Sequence, residues 1–362
     1  MRAAESQRTQ RRERSRVVSS LPDLCALCAS AVSPFLLLLV VLVLVVSPSG
    51  CKRGGNSGDG TPRLTIAVVP KGTTHEFWKS VHAGAVKAGR ELGVDVVWKG
   101  PLREDDLKEQ IDVVQSFVAQ GVGGIVLAPL SDKGLVGSVK AATAAHVPVV
   151  VFDSDLAGGD YVSFVATDNQ AAGKTAGDTL AARVGKGSVA VLRYQEGSAS
   201  TANREKGFVD AIHAHPDVKL ASDSQYGGAT TETAEKASEN LLASLQADSG
   251  GLQGVFAPNE STTFGMLLAL RKAGLAGKTH LVGFDASDKL VQGVRSGEID
   301  ALVVQRPFDM GYLAVKTIVA HIHGEGVEHR IDTGSTLVTR DNLDTPEVQA
   351  LVKPDLAKWL GP

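Results

Sequence analysis

The residues with most chemistry to offer sit directly after short runs rich in β-branched side chains. After LTIAVV (64–69) come Lys71 and then His75-Glu76-Phe77-Trp78. After PVVVF (148–152) come Asp153 and Ser154, and after SVAVL (188–192) come Arg193 and a polar loop reaching Thr201 and Arg204. Asn259 and Glu260 follow GVFA (254–257), Asp285 follows THLVGF (279–284), and Gln305 follows ALVV (301–304). Two aromatic rings with Asp, Asn, Gln and Arg suit a small polyhydroxylated ligand. A sugar ring has an apolar C–H face that stacks on Phe or Trp. Its hydroxyls both donate and accept, so planar polar side chains bind adjacent pairs of them. A few placed polar groups then fix orientation in an enclosed cleft.

Each of these residues also has a plainer use. Phe77 and Trp78 could pack a helix start onto a sheet. Asp153 and Asp285 could cap helices or form turns, and Asn259 could cap the helix that follows it. Arg204 could pair with Glu205 at the surface, which contributes little. Gln305, before Arg306-Pro307, could be an ordinary loop residue, whereas Lys71 reads as a solvated one. Their common placement favours a binding role, because ligands of open α/β sheets lie outside the carboxyl ends of the strands.

Catalytic constellations are missing. There is no H-E-x-x-H, and His321 and His323, two apart, do not share a helical face. Gly197-Ser198-Ala199-Ser200 lacks the second glycine of G-x-S-x-G. The first strand runs into Pro70-Lys71-Gly72-Thr73-Thr74 rather than a dinucleotide fingerprint, and no phosphate loop occurs. Of the nine His, all but His75 read as solvated or structural. No catalytic residue, cofactor or metal is therefore expected.

The elements that must position these residues alternate. Strands read at 64–69, 94–98, 124–128, 148–152, 188–192, near 218–224, 254–257, 279–284 and 301–304. Helices read between them, at roughly 75–91, 104–119, 132–145, 169–183, 202–214, 231–246, 261–272, 286–296 and 307–322. Continuous Val/Ile/Leu runs suit strands buried on both faces, and alternating βα units mean an α/β fold with parallel sheets. About 300 residues and some ten strands fit two sheets better than one.

Composition agrees with a folded domain: of 362 residues, 21% are charged and 43% hydrophobic. The net charge of −3 is uneven, since residues 1–50 hold six Arg against Glu5, Glu13 and Asp23. The remainder is acidic, which argues against nucleic acid held by a broad basic surface. Cys25, Cys28 and Cys51 are the only cysteines, so nothing after residue 51 can form a disulfide or thiolate metal site. Cys25 and Cys28 form a lone C-x-x-C without further zinc ligands nearby and read as leader thiols. FLLLLVVLVLVV (35–46) is too short for a usual bilayer span of about 20 residues and fits a secretory signal core. The Arg-rich stretch before it is long for a signal, which points to a start downstream of Met1. Small residues then lead to Cys51, resembling a bacterial lipobox in which Cys51 is lipidated, with Pro48 where Leu is usual. A retained signal anchor beginning near Ala29 is the alternative. KRGGNSGDGTPR (52–63) reads as a flexible tether.

In their order, the strand-end residues resemble the periplasmic sugar-binding proteins of ABC importers, the ribose/galactose type related to the lactose-repressor ligand core. The resemblance runs from Leu64 to about Leu337. His75-Glu76-Phe77-Trp78 stands where the ribose type has Asn-x-Phe-Phe. Asp153 matches the Asp after the fourth strand, and Arg204, four before Phe208, matches its Arg. Asn259 in Phe256-Ala257-Pro258-Asn259-Glu260, Asp285 in Gly283-Phe284-Asp285, and Gln305 complete the set. Two departures, Ser154 for an Arg and His75 for an Asn, each remove a planar hydrogen-bonding side chain and argue against ribose itself. Lys71 adds a cation that would favour an acidic or modified sugar if it faced the cleft.

The resemblance implies two Rossmann-like lobes with parallel sheets joined by three hinge crossovers, the type I periplasmic binding protein fold. Crossovers are expected at Val165–Asn169, Gln305–Pro307 and Thr333–Leu337. The implied division is 1–50 signal peptide, 51–63 lipid-anchored linker, 64–167 plus 306–332 N-terminal lobe, and 168–305 plus 333–362 C-terminal lobe. Residues 345–360 read as a C-terminal helix beyond the family's usual end. The implied function is a monomeric, extracytoplasmic binding lipoprotein, tethered to the membrane through Cys51. It would close on a monosaccharide-like ligand through His75, Phe77, Trp78, Asp153, Arg204, Asn259, Asp285 and Gln305 and deliver it to an ABC permease. A sensor of the same fold is the alternative, and a sugar-acting enzyme is disfavoured by the missing motifs. A repressor would need a DNA-binding domain where the signal-like segment stands.

Overall fold

The computed structural model describes residues 63–361. The signal segment, Cys51 and all of the tether except Arg63 lie outside them. The first block of the chain is β1 (Thr65–Val69), α1 (Glu76–Leu92), β2 (Asp95–Trp98), α2 (Leu107–Gln120), β3 (Gly124–Leu127), α3 (Val136–Ala144), β4 (Val149–Phe152) and β5 (Ser163–Ala166). The second is α4 (Asn169–Val184), β6 (Gly187–Val191), α5 (Ala199–His213), β7 (Val218–Ser222), α6 (Thr231–Ser244), β8 (Gly254–Phe256), α7 (Glu260–Lys272), β9 (His280–Phe284), α8 (Asp288–Ser296) and β10 (Ala301–Gln305). Then follow α9 (Pro307–Ile322), β11 (Arg330–Asp332), β12 (Ser335–Thr339), α10 (Pro346–Val352) and α11 (Ala357–Leu360).

The strands form two six-stranded sheets, ordered β2-β1-β3-β4-β5-β11 and β7-β6-β8-β9-β10-β12. Every pairing is parallel except β10 with β12. The apolar runs explain why both faces of each sheet are covered. In the first sheet Ile66, Val68, Val126, Val150, Phe152 and Val165 enter one core, while Ala67, Val69, Ile125, Leu127, Val149 and Val151 enter another. That is the period of two expected of strands buried on both sides. The second sheet repeats it, with Ala190, Leu192, Val255 and Leu281 on one face and Val189, Val191, Phe256 and Val282 on the other.

As far as β12 the chain passes between lobes three times. It leaves β5 through Thr167-Asp168 for α4, leaves β10 through Arg306 for α9, and leaves β11 through Thr333-Gly334 for β12. The first and third passages run side by side, with Thr333 N donating to Ala166 O at 3.1 Å and Thr167 Oγ1 to Gly334 O at 3.2 Å. Much of what was expected as the first and third crossovers is therefore strand: Val165 and Ala166 close β5, and residues 335–337 already pair with β10. β5, β11 and β12 are strands beyond those that the sequence pattern marks. β11 spans three residues and β12 is mostly half-exposed at a sheet edge, so neither carries a buried apolar run.

The single helix expected over 345–360 is two. Lys353-Pro354 interrupts it, since proline removes a helical donor and disfavours helix in the residue before it. α10 joins the second lobe's core through Val348 and Val352. α11 returns to the first lobe, where Arg90 donates to the carbonyls of Lys358 and Trp359 at 3.3 and 2.8 Å. Residues 333–362 thus do not stay with one lobe.

Candidate ligand-binding cleft

The carboxyl ends of both sheets face a cleft between the lobes. Its innermost space is lined by all eight residues singled out in the sequence: His75, Phe77, Trp78, Asp153, Arg204, Asn259, Asp285 and Gln305. This space measures about 20 Å³, room for about one water. It shares His75, Phe77, Glu104, Asp285 and Gln305 with a larger chamber of about 880 Å³, whose rim includes Leu351–Pro354. A ligand pocket ordinarily needs several hundred Å³, a volume reached by the inner space together with the chamber whose lining it shares.

Asp153 and Asp285 hold equivalent places in the two lobes, one residue past the ends of β4 and β9. Both adopt left-handed backbone, at φ 60° and 67°, a conformation Asp tolerates better than most residues at a cost of about 1–2 kcal/mol. Neither caps a helix. Asp285 Oδ1 accepts from Gln305 Nε2 at 2.7 Å, and its Oδ2 from Glu260 N at 3.2 Å. Burial pushes the Asp285 carboxyl above its usual range, against the pull of Arg204 and Gln305. The Glu260 carboxyl, buried nearby, is pushed up to about 7 by desolvation, with Asp285's charge adding to the rise and His75 opposing it.

Arg204 is 2% exposed and does not pair with Glu205, which is taken by Arg193 at 2.7 Å. Its Nε donates to Asn169 Oδ1 at 2.7 Å, its Nη1 donates to Pro258 O at 2.9 Å, and its guanidinium lies 4.0 Å from the centre of the Phe284 ring. Desolvation lowers the Arg204 pKa from its usual value, with Asp285 and Asp153 opposing. Two glycines allow this placement. A Cβ at Gly173 would lie 2.0 Å from Arg204 O, and one at Gly207 would lie 2.1 Å from Gln170 O, so α4 and α5 touch backbone to backbone.

Asn259 takes the plainer role left open for it: its Oδ1 accepts from Thr262 N at 3.2 Å and caps α7, while the residue also lines the cleft. Phe77 and Trp78 likewise do both, belonging to the first lobe's core and lining the cleft. Trp78 packs edge-on to Phe77 and Phe152, with centroids 4.8 and 6.1 Å apart.

Lys71 is not a solvated loop lysine. It is 3% exposed, and its ammonium lies 2.9 Å from Asp153 Oδ2 and donates to Ser200 Oγ at 3.0 Å. Its charge is thus already balanced inside the protein, which removes the reason for expecting an acidic sugar. Ser154, where the ribose type has Arg, accepts from Ser200 N at 3.1 Å and helps seat the same loop.

Glu104 joins the eight residues in this space. It lies in the polar loop after β2, and that strand's carboxyl end obeys the same placement rule as the others, so a signal existed. Its Oε1 lies 2.7 Å from His75 Nδ1 and accepts from Trp78 Nε1 at 2.7 Å. Its Oε2 accepts from the Tyr194 hydroxyl of the opposite lobe at 2.7 Å. Burial favours its neutral form, but the charge and hydrogen bond of His75, with Lys71 and Trp78, outweigh this and hold the carboxyl at about 2. Desolvation likewise opposes the charged imidazole of His75, and Glu104 outweighs it, raising the His75 pKa to about 9.

Two buried polar atoms of residues lining this space have no hydrogen-bond partner among the described residues: Arg204 Nη2, a donor, and Gln305 Oε1, an acceptor. Each costs about 1–3 kcal/mol if left unpaired. No group of three or more His, Cys, Asp or Glu side chains is arranged to hold a metal among the described residues. No helix there is long and apolar enough to cross a membrane.

Comparison with known proteins agrees with this architecture. Residues 66–326 match the periplasmic binding protein domain family. The ribose import binding protein of Haemophilus influenzae is 32% identical over 268 residues, covering 74% of this chain and 88% of that protein. A carbohydrate transporter solute-binding protein from Agrobacterium radiobacter, solved with D-arabinose, superposes with a TM-score of 0.77 at 34% identity, covering 81% of this chain and 99% of the other. An ABC transporter solute-binding protein from Agrobacterium vitis with bound D-fucose gives 0.75 at 35% identity, covering 80% and 99%. With two parallel-rich sheets, three crossovers and a cleft at the strand ends, the chain belongs to the periplasmic binding protein domain family.

Proposed function

We propose that this protein captures a neutral monosaccharide or close derivative between its lobes, outside the cytoplasm, and delivers it to an ABC permease. One observation carries the ligand class: the unpartnered donor Arg204 Nη2 and acceptor Gln305 Oε1 line the same small space. A hydroxyl is donor and acceptor at once, so hydroxyls of one ligand satisfy both and recover the desolvation cost. Phe77 and Trp78 supply apolar surface for the ring. The cations Lys71, Arg204 and His75 are matched by Asp153, Asp285 and Glu104, which suits a ligand without net charge. Similarity to import proteins for ribose and to sugar-bound transport components supports the transport reading over sensing or catalysis.

In this reading the first lobe is 64–167 with 306–332, and the second is 168–305 with 333–362 apart from the returning α11. The lobes part to admit the sugar. They close because it touches both, which stabilises the closed state by the difference in its affinity for the two arrangements. The protein acts as a monomer, breaks no bond and needs no cofactor. Cys51 holds it to the membrane through lipid. Asp285→Asn tests the site, since Asn keeps the side-chain shape and tolerates left-handed backbone but removes the charge. Affinity for the bound sugar should fall at least tenfold by calorimetry with secondary structure retained; unchanged affinity removes Asp285 from the site.

A further inference from the structure

Glu104 is 6% exposed and carries its charge at a point where both lobes converge. Both of its carboxylate oxygens are engaged, as described, by His75 and Trp78 of one lobe and Tyr194 of the other. Its main-chain oxygen accepts from Gln195 Nε2, again from the opposite lobe, at 2.8 Å. A carboxylate filled from two lobes has a full set of partners only when those lobes meet. We propose that Glu104 is a positioning residue for the ligand: it sets the Trp78 ring and the His75 imidazole, and by taking the Tyr194 hydroxyl it makes that arrangement complete only on closure.

The proposal rests on the sugar-binding reading and names what that reading lacks, a link between lobe closure and ring alignment. With Nδ1 committed to Glu104, His75 has Nε2 left for the cleft, and in the charged imidazole Nε2 is a donor. The site therefore asks for an acceptor oxygen on the ligand there. Glu260 and Asp285 of the second lobe also act on His75, and Lys71 acts on Glu104, so the charges around the pair come from both lobes. Hydrogen bonds to a buried charge are worth more than neutral ones, which makes the Tyr194 bond a strong condition on closure.

The test uses the full chain in mild detergent, with Tyr194→Phe, Glu104→Gln and the double variant. D-ribose, D-arabinose, D-fucose and D-allose are the probes, followed by stopped-flow tryptophan fluorescence. Tyr194→Phe keeps the ring and should raise the dissociation rate about tenfold or more, with the association rate unchanged. The double variant should be no worse than Glu104→Gln alone, since both act on one network. Effects that multiply, or a loss confined to association, overturn the proposal, because a merely structural contact would not slow dissociation selectively. A sugar-independent arm follows the His75 imidazole by NMR. Its midpoint should lie near 9 in the unaltered protein and at or below about 6.5 in Glu104→Gln; a midpoint that stays put overturns the pairing. If neither these four sugars nor any other pentose, hexose or polyol binds the unaltered protein, the sugar reading fails and the ligand role fails with it, while the NMR arm still decides whether Glu104 sets the imidazole.

Discussion

Replacing Lys71 by Met should destabilise this protein strongly, although the residue sits in a loop. Its ammonium is buried 2.9 Å from Asp153 Oδ2, and the next cation to Asp153 is Arg204 Nη2 at 3.9 Å. At an effective dielectric of about 20, the Lys71 and Asp153 charges, 2.9 Å apart, attract by roughly 6 kcal/mol, which offsets the several kcal/mol of desolvation each ion suffers. Lys71→Met leaves Asp153 with its desolvation cost and without its main partner. Asp153→Asn does the reverse to Lys71, keeping the side-chain shape and the left-handed backbone. Each single change should cost about 3–5 kcal/mol. The double variant removes both charges together and should cost well under the sum, giving a coupling of about 3 kcal/mol or more. Urea unfolding at pH 7, followed by far-ultraviolet circular dichroism, measures all four corners of the cycle. Single costs below about 1 kcal/mol, or additivity within about 0.5 kcal/mol, would show that Lys71 reaches solvent and that the buried pair has been misread.

Three further changes probe other parts of the structure. The His75–Glu104 pair should stabilise the fold fully between about pH 4.5 and 6.5, and decreasingly from there to about 9. The share from the raised His75 is complete below about pH 6.5 and is lost as pH rises through about 9. The share from the lowered Glu104 is complete above about pH 4.5 and is lost as pH falls toward 2. Melting temperature against pH for His75→Gln should lack the alkaline loss; an alkaline limb identical to that of the unaltered protein contradicts the shift. Gly173→Ala should force α4 from α5, costing about 1–3 kcal/mol and displacing Arg204. Calorimetry should then show weakened sugar binding, whereas an unchanged melting temperature and affinity would mean the helices are not in backbone contact. Cys51→Ser should move the protein from the membrane fraction to the soluble one, and retention in the membrane would point to the apolar run at 35–46 as a standing anchor.

The sequence exposes those parts of the molecule whose physics is local. Runs such as PVVVF and THLVGF are apolar on both faces and bounded by polar turns, so their burial, parallel pairing and partition into two sheets follow from pattern. The polar residues just past them are exposed to the same reasoning, which is why Asp153, Asn259, Asp285 and Gln305 could be named together. β11 and β12 escape because edge strands need no buried run. The break at Pro354 is legible in the sequence, because proline ends a helix. Lys71 could not be placed by pattern, since the Asp153 that neutralises it is distant in the chain and a lysine in a Gly/Thr-rich loop looks solvated. Glu104 stands among Arg103, Asp105 and Asp106 and looks like part of a charged surface; only the fold brings His75, Trp78 and Tyr194 onto it. The left-handed backbone of Asp153 and Asp285 is likewise a product of tertiary structure, and it aims both carboxylates at the space between the lobes.

Calorimetric titration with pentoses, hexoses, polyols and sugar acids, combined with native mass spectrometry of whatever small molecule co-purifies, decides the central assignment. A neutral sugar should bind with one-to-one stoichiometry and be recovered unchanged, and sugar acids should bind more weakly because Lys71 is already neutralised by Asp153. Absence of binding across the panel, preference for the acids, or conversion of the bound sugar would contradict it.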